Sequence, residues 1–304
     1  MKKFTNFFVV AILATALMTS CGGDPPPPVS IELDPTTLSL SIGQSQTLTV
    51  TVVPADAAVT WTSSDASVAS VANGIVTANA EGTATITATA GNQTATCVVT
   101  VIDPLTYDPG VVINGVTWAT RNVDSHGTFV ANPEDFGGYY QWGRRGDGHE
   151  QIDSDTTHTL SLTDVPAHGD FIVSTIVPND WRSTKNDNLW ASIKTANDPC
   201  PNGWRVPTIE ELQSLVDAGS IYKTQNGVEG RIFGSGNDTI FLPVAGWREG
   251  MSSLYRSTIG SYWSCTPYGN YVCAMEFGNV GVGTTQGIGG FIRSDGYSVR
   301  CVKQ

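Results

Sequence analysis

From residue 29 to residue 102, hydroxyl-bearing and apolar side chains alternate. QTLTVTVV, GTATITATA and QTATCVVTV set Thr or Ser against Val, Ile, Leu or Ala with a period of two. That period belongs to half-buried β-strands, because successive side chains of an extended chain point to opposite faces. Ile42-Gly43, Pro54-Ala55, Asn73-Gly74 and Glu81-Gly82 interrupt the alternation at the short spacing of a small antiparallel sandwich. Beyond residue 105 the pattern breaks into short strand-like runs: GVVINGVTWATRNV, GGYYQWG, TIFLPVAGWR, SYWSC, YVCAMEFG and YSVRCVK. One helical period stands among them. In CPNGWRVPTIEELQSLVDAGS, Thr208 and Glu211 form a capping box, Ile209, Leu212, Leu215 and Val216 share one face, and Gly219 supplies a stop. Residues 144–200 have little periodicity and much Asp, Asn, His and Ser, which predicts surface loops with one short helix near Trp190. The expected fold is an all-β sandwich over 29–102 followed by an α+β domain over 105–304.

The chain begins with a different pattern. Lys2 and Lys3 precede the 13-residue apolar run FFVVAILATALMT, which ends at Ser20 and Cys21. This is the layout of a signal peptide over residues 1–20, and the run is shorter than the roughly 20 residues of a membrane-spanning helix. LMTSC resembles a lipobox, with Met18 where Leu, Val or Ile is usual, so Cys21 is expected to be lipidated and to become the mature N-terminus. Residues 21–28, beginning CGGD and ending in four prolines, form a tether whose extended spacing is about 3.1 Å per residue. Gly22, Gly23 and Asp24 resemble an acidic export signal, which implies an outer-membrane lipoprotein facing the cell exterior.

The formal charge is −12, and removal of Lys2 and Lys3 takes it to −14. Such a surface repels nucleic acid and anionic headgroups, which leaves the lipid as the membrane contact. Residues 29–102 contain no Lys or Arg, and Trp61 is their one aromatic residue. Two unlike domains follow from that contrast.

The segment VTWTSSDASVASVANGIVTANAEGTATITATA resembles bacterial Ig-like domains of group 2, a family that implies a stalk or spacer of surface proteins and adhesins. Cys97 shares the apolar face of its strand with Ala95, Val99 and Val101, the place of a small buried thiol. Residues 105–304 resemble the FISUMP, or major paralogous, domain. The resemblance rests on Ile113-Asn114-Gly115 with Trp118 and Asn122, on Gly138-Tyr139-Tyr140-Gln141-Trp142-Gly143, and on CPNGWRVPT, LPVAGWREG, YWSC and SVRCVK. It implies a relative of the C-type lectin-like fold, in which the first and last strands pair and a long loop region carries any ligand site.

Cys200, Cys265, Cys273 and Cys301 fall in this second domain, and in an oxidising compartment they are expected to pair. Three connectivities are open. A hairpin of SYWSC with YVCAMEFG sets Cys265 opposite Cys273 and Trp263 opposite Met275, which leaves Cys200 with Cys301. That second bridge closes about 100 residues and is worth about 4 to 5 kcal/mol on the chain-entropy account.

Catalytic signals are sparse. His126, His149, His158 and His168 show no metalloprotease spacing and read as solvated loop residues. Asp147, Glu150, Asp153 and Asp155 offer oxygens but lack the glycine and terminal glutamate of an EF-hand, so neither metal nor cofactor is expected. Arg145-Gly146-Asp147 is read as incidental. The EPN, QPD and WND motifs of calcium-dependent animal lectins are absent. Trp118, Trp142, Trp204 and Trp263 are expected in the core. The candidate ligand face comprises Trp247, Arg248, Glu249, Tyr255, Arg256, Tyr268, Asn270 and Tyr271, with Tyr262 nearby, because a sugar presents an apolar face and a hydroxyl rim to aromatic and planar polar groups. The leading reading is a surface binding module or adhesin for an extracellular glycan or glycoprotein, not an enzyme. A structural or assembly component that contacts other surface proteins is the first alternative. An enzyme related to formylglycine-generating enzymes, which would need two free cysteines acting together, is the second.

Overall fold

The computed structural model describes residues 29–177, 179–250, 252–254, 258–285 and 290–304. The signal peptide, Cys21 and the tether lie outside the described residues, as do Tyr255 and Arg256.

The first domain contains β1 (Ser30–Asp34), β2 (Thr37–Ser41), β3 (Ser45–Thr47), β4 (Thr49–Val53), β5 (Val59–Ser63), β6 (Ala69–Ala72), β7 (Ile75–Ala78), β8 (Gly82–Ala90) and β9 (Gln93–Ile102). One sheet has the order β2-β9-β8-β5, with β2 parallel to β9; the remaining strands form β3-β7-β6 and the pair β1-β4. The expected alternation is realised along β8, where Ala84, Ile86, Ala88 and Ala90 are buried. Their core includes Leu33, Leu40, Leu48, Val76 and Val99, together with the thiol of Cys97. Asn73 and Gly74 both have positive φ, the conformation a two-residue turn between β6 and β7 requires.

The second domain contains β10 (Val111–Ile113), β11 (Val116–Asn122), β12 (Tyr140–Gln141), β13 (Thr156–Thr157), β14 (Phe171–Ile172), β15 (Trp204–Arg205), α1 (Ile209–Asp217), β16 (Ser220–Gln225), β17 (Val228–Ser235), β18 (Asp238–Pro243), β19 (Trp247–Glu249), β20 (Ser252–Leu254), β21 (Gly260–Tyr268), β22 (Tyr271–Phe277), β23 (Val282–Thr285), β24 (Gly296–Tyr297) and β25 (Arg300–Lys303). Its sheets have the orders β10-β11-β25-β15, β12-β24-β19-β20, β16-β17-β18 and β21-β22-β23, with a parallel pair β13-β14. The early strand β11 and the final strand β25 are antiparallel partners. Helix α1 has the expected capping box: the Thr208 hydroxyl accepts from the Glu211 amide, and the Glu211 carboxylate accepts from the Thr208 amide. It buries Ile209, Leu212 and Leu215.

Three expectations are corrected by local chemistry. No helix forms near Trp190: residues 187–198 make turns, in which Asn186 accepts from the Asn188 amide at 3.0 Å and the Thr195 hydroxyl donates to the Leu189 carbonyl. Short polar side chains here outcompete helical backbone bonding. Residues 144–200 are not simply a surface loop, since Phe171, Ile172, Trp181 and Trp190 are buried. The Trp181 and Trp190 indoles donate to the carbonyls of Trp142 and Asn197, which satisfies the buried N–H groups. The hairpin β16-β17 was not among the expected strands, although Asn226-Gly227, both at positive φ, is its turn.

The Cys200–Cys301 disulfide is present and ties the approach to α1 to the final strand. Cys265 and Cys273 are both free and buried. Their expected pairing fails by register: Tyr262 lies opposite Met275 and Trp263 opposite Ala274, one residue off the expected alignment, with an irregularity before Pro267. A one-residue slip exchanges the faces of a strand. Cys265 accordingly joins the core of Trp142, Trp263 and the disulfide, while Cys273 joins that of Tyr262, Met275 and α1 on the other side of the sheet.

Candidate functional site

Strand β19 carries three of the expected ligand residues, and its pleat separates them. Trp247 and Glu249 share one face; Arg248 points from the other into the interior. Arg248 is fully buried over the ring of Phe171, with its guanidinium carbon 4.2 Å from the ring centroid. It donates to the carbonyls of Gly250 (2.8 Å), His149 (3.2 Å), Gln151 (2.5 Å) and Ser154 (2.7 Å), and to the Ser154 hydroxyl at 2.7 Å. Burial draws its pKa down to about 10, partly offset by Asp153, so it remains a cation at neutral pH. Arg248 therefore does not meet a sugar. It is the positive charge around which the loop 149–154 folds, with backbone oxygens gathered on a guanidinium as other loops gather them on a cation.

The same loop joins Asp147, His149 and Glu150, whose potential ligand atoms lie within 4.8 Å of one another. Each is already engaged. His149 is completely buried; its Nε2 accepts from the Gln141 amide at 3.1 Å, so Nδ1 carries the proton and donates to Asp147 at 2.7 Å. Asp147 also pairs with Arg144 at 3.0 Å, and Glu150 accepts from the amides of Asp147 and Gly148. Burial lowers the His149 pKa to about 4, although its bond to Asp147 opposes the shift. The ring is thus neutral and bonded at both nitrogens, which corrects its reading as a solvated residue. This arrangement orders a loop and leaves no lone pair on the imidazole for a metal or a proton transfer. Asp153 and Asp155 are exposed and outside the cluster. Of the Arg145-Gly146-Asp147 tripeptide, Gly146 is packed beneath His126 and Asp147 is held by Arg144 and His149.

The remaining candidates divide between two places. Trp247 is half-buried against the core that contains Tyr140, Trp263 and Tyr297, and Glu249 is exposed beside it. Tyr268 is 47% exposed and Asn270 exposed, with Tyr271 half-buried, at the turn between β21 and β22. Gly246 is bridged to Gly260 at the opposite end of β21, and nine strand residues span about 25 Å. One ligand face does not include both groups. Tyr262 is not exposed at either: its hydroxyl donates to the Pro243 carbonyl and accepts from Asn122 inside the core. Trp118, Trp142, Trp204 and Trp263 are buried as expected.

Sequence reasoning missed Asp295. Arg248 pairs with Gly296 across β19-β24, one residue from Asp295, whose carboxyl is pushed up to about 8 by burial first and by the charge of Glu249 second. The two carboxyl groups are 46 positions apart in the chain, and no local motif links them.

The fold of the first domain and its sequence agree on a class, an all-β Ig-like sandwich. Residues 29–101 match the bacterial Ig-like domain (group 2) family. Comparison with curated proteins yields no match. Solved structures similar to the chain include domains 4 and 5 of the S-layer protein SbsC, 28% identical over 24% of this chain and 51% of that one, with a TM-score of 0.21. Domains 5–6 of SbsC are 14% identical over 90% of this chain and 95% of that one, with a TM-score of 0.22. The chain spans about half of the first of these structures. Likeness at these scores carries no conclusion about the chain.

Proposed function

We propose that the protein is a cell-surface module, anchored through Cys21, in which the Ig-like domain displays the second domain as a binding head for an extracellular glycan or glycoprotein. The observation that carries this reading is the junction. The segment leaving β9 is held by side chains rather than left as a free linker: Asp103 accepts from the amide of Leu105, and Arg121 donates to the carbonyls of Pro104 and Tyr107 while pairing with Asp108. The Phe129 amide closes on the Leu105 carbonyl at 2.6 Å. A connecting segment tied in this way to an aromatic-rich head suits display. The pairing of β11 with β25 and the one capped helix among the described residues support the FISUMP and C-type lectin-like resemblance of the head. A role like that of formylglycine-generating enzymes finds no support in Cys265 and Cys273, which occupy opposite faces of one sheet.

Of the expected ligand residues, Trp247 with Glu249, and Tyr268 with Asn270 and Tyr271, retain the half-exposed aromatic and polar character that sugar recognition requires. A single shallow site of this kind has a micromolar to millimolar Kd, about 4 to 8 kcal/mol, which multivalent display would strengthen. The mature chain applied to a glycan array is expected to bind, and either Trp247→Ala or Tyr268→Ala to lose binding while keeping its melting temperature within a few degrees. No binding by the wild type, together with copurification of surface proteins, would favour the assembly role instead.

A further inference from the structure

The turn before β8, the segment after β9 and the second domain together enclose a cavity of about 360 Å³. Glu81 of the first domain and Thr106 of the connecting segment line it, and the Thr106 hydroxyl donates to the Glu81 carboxylate at 3.4 Å. His126, Lys194 and Asn202 line it from the second domain. Cavities of this size at domain junctions are common places for small ligands. The chain has a formal charge of −12, yet cations dominate the field at His126. Burial first, and then the charges of Arg145 and Lys194, hold its pKa below the ordinary value, with Asp198 opposing them. Lys194 is fixed in place, because its ammonium donates to the Asp198 carboxylate at 3.2 Å and to the Cys200 carbonyl. Its third proton has only the Asp198 carbonyl, at 3.5 Å. The guanidinium of Arg145 has neither an ion pair nor a hydrogen bond among the described residues, unlike that of Arg144 beside it, which pairs with Asp147. Gly146 sets its place: the chain packs so closely on His126 that a Cβ at Gly146 would stand 2.7 Å from the His126 Cβ. The Nδ1 of His126 is buried and has no hydrogen-bond partner among the described residues, which costs free energy until a partner is found.

We propose that this cavity binds a small sugar acid, with its carboxylate held between His126 and Lys194, Arg145 closing over it, and its hydroxyls on Glu81 and Asn202. Arg145 reaches the ligand by rotating an unpaired side chain that is only half buried. A carboxylate gives its planar fork a matching partner. Rotation of the His126 ring brings Nδ1 to the cavity that the ring already lines, where it donates to the same carboxylate. The remaining groups select the rest of the molecule. Glu81 repels a second anionic group but accepts from hydroxyls, and Asn202 both donates and accepts. A polyol with one carboxylate therefore fits better than a dicarboxylate or inorganic phosphate. A neutral sugar fits worse, because Trp, Tyr and Phe are missing from the lining and no stacking face replaces the charge. The acid can arrive as a free monosaccharide or as the end unit of a glycan, and the cavity meets the same groups in both. This site shares no residue with the surfaces at Trp247 and Tyr268, and it stands whether or not they bind a glycan.

Titration of the mature chain with glucuronate, followed by NMR at the His126 ring and repeated with glucose and with phosphate, tests it. Glucuronate is expected to bind with a Kd in the micromolar to millimolar range, and glucose and phosphate about tenfold more weakly or less. Bound glucuronate should also raise the His126 pKa, because a neighbouring negative charge favours the imidazolium. Arg145→Ala removes a side chain that holds nothing else and should weaken glucuronate by about tenfold, with Arg145→Lys intermediate. A glucuronate-ended oligosaccharide that binds as well as the monosaccharide assigns the site to glycan ends, and one that fails to bind assigns it to the free acid. An unchanged His126 resonance, equal binding of glucose or phosphate, or undiminished affinity in Arg145→Ala would overturn the proposal.

Discussion

At the scale of single residues, charged side chains inside the second domain act as its frame. Arg144, Arg248, Arg293 and Arg300 are all fully buried. Arg300 donates to Asn122 and to the carbonyls of Ala119 and Phe241, which binds β11, β18 and β25 at one point. Arg248 serves the loop 149–154 in the same manner and has no carboxylate within an ion pair among the described residues. Truncating it would leave the buried carbonyl of His149 and the partly buried carbonyls of Gln151 and Ser154 without their common donor. Arg248→Ala is therefore expected to destabilise the second domain by about 3 kcal/mol or more in urea unfolding, with Arg248→Lys intermediate because one ammonium cannot reproduce the planar fork. If Arg248→Ala unfolds like the wild type and instead loses only ligand binding, the loop-organising role assigned to it is wrong.

At the scale of elements, β21-β22 shows what sequence pattern conveys and where it stops. The two strands and their turn are legible from SYWSC, PYGNY and YVCAMEFG, because short apolar runs flanking a Gly-Asn turn specify a hairpin. Their register is not legible, since residues 260–265 and 272–275 are buried on both faces. The same limit hid the role of Arg248: three residues of β19 carry too little alternation to show which side is inward. Two-residue strands such as β12, β14 and β24 leave no period at all, and their place is set by long-range contacts such as the Gln141 side chain bonded to Ile172 and Ser294. In contrast, β4, β8 and β9 of the Ig-like domain are legible from their alternation, whereas the parallel pairing of β2 with β9 departs from the expected antiparallel sandwich. The cysteines give the register a chemical test. Peptide mapping without reduction should recover Cys200 joined to Cys301, with Cys97, Cys265 and Cys273 alkylated after unfolding. Burial holds the Cys265 thiol up to about 12, which suppresses the thiolate needed for exchange with the neighbouring disulfide. Recovery of a Cys265 to Cys273 peptide would show that the expected register, and not the observed one, is correct. Removal of the native bridge by Cys301→Ser is expected to cost about 4 to 5 kcal/mol.

At the scale of the whole molecule, the account depends on the Ig-like domain and the head moving as one body. Arg121 ties the connecting segment to the second domain, because its donors reach the carbonyls on both sides of the turn at residues 104–107 while Asp108 holds its Nε. Without it, the segment after Ile102 would keep the local Asp103 turn, the bonds from Thr120 to Asp108 and the Leu105–Phe129 backbone bond, but lose the ties to the carbonyls of Pro104 and Tyr107. The most direct measurement is the distribution of distances between spin labels at exposed Asn92 and exposed Lys223, one in each domain. A single narrow distribution is predicted for the wild type and a broad one for Arg121→Ala. A wild-type distribution as broad as that of the variant would contradict the rigid display on which the proposed function rests.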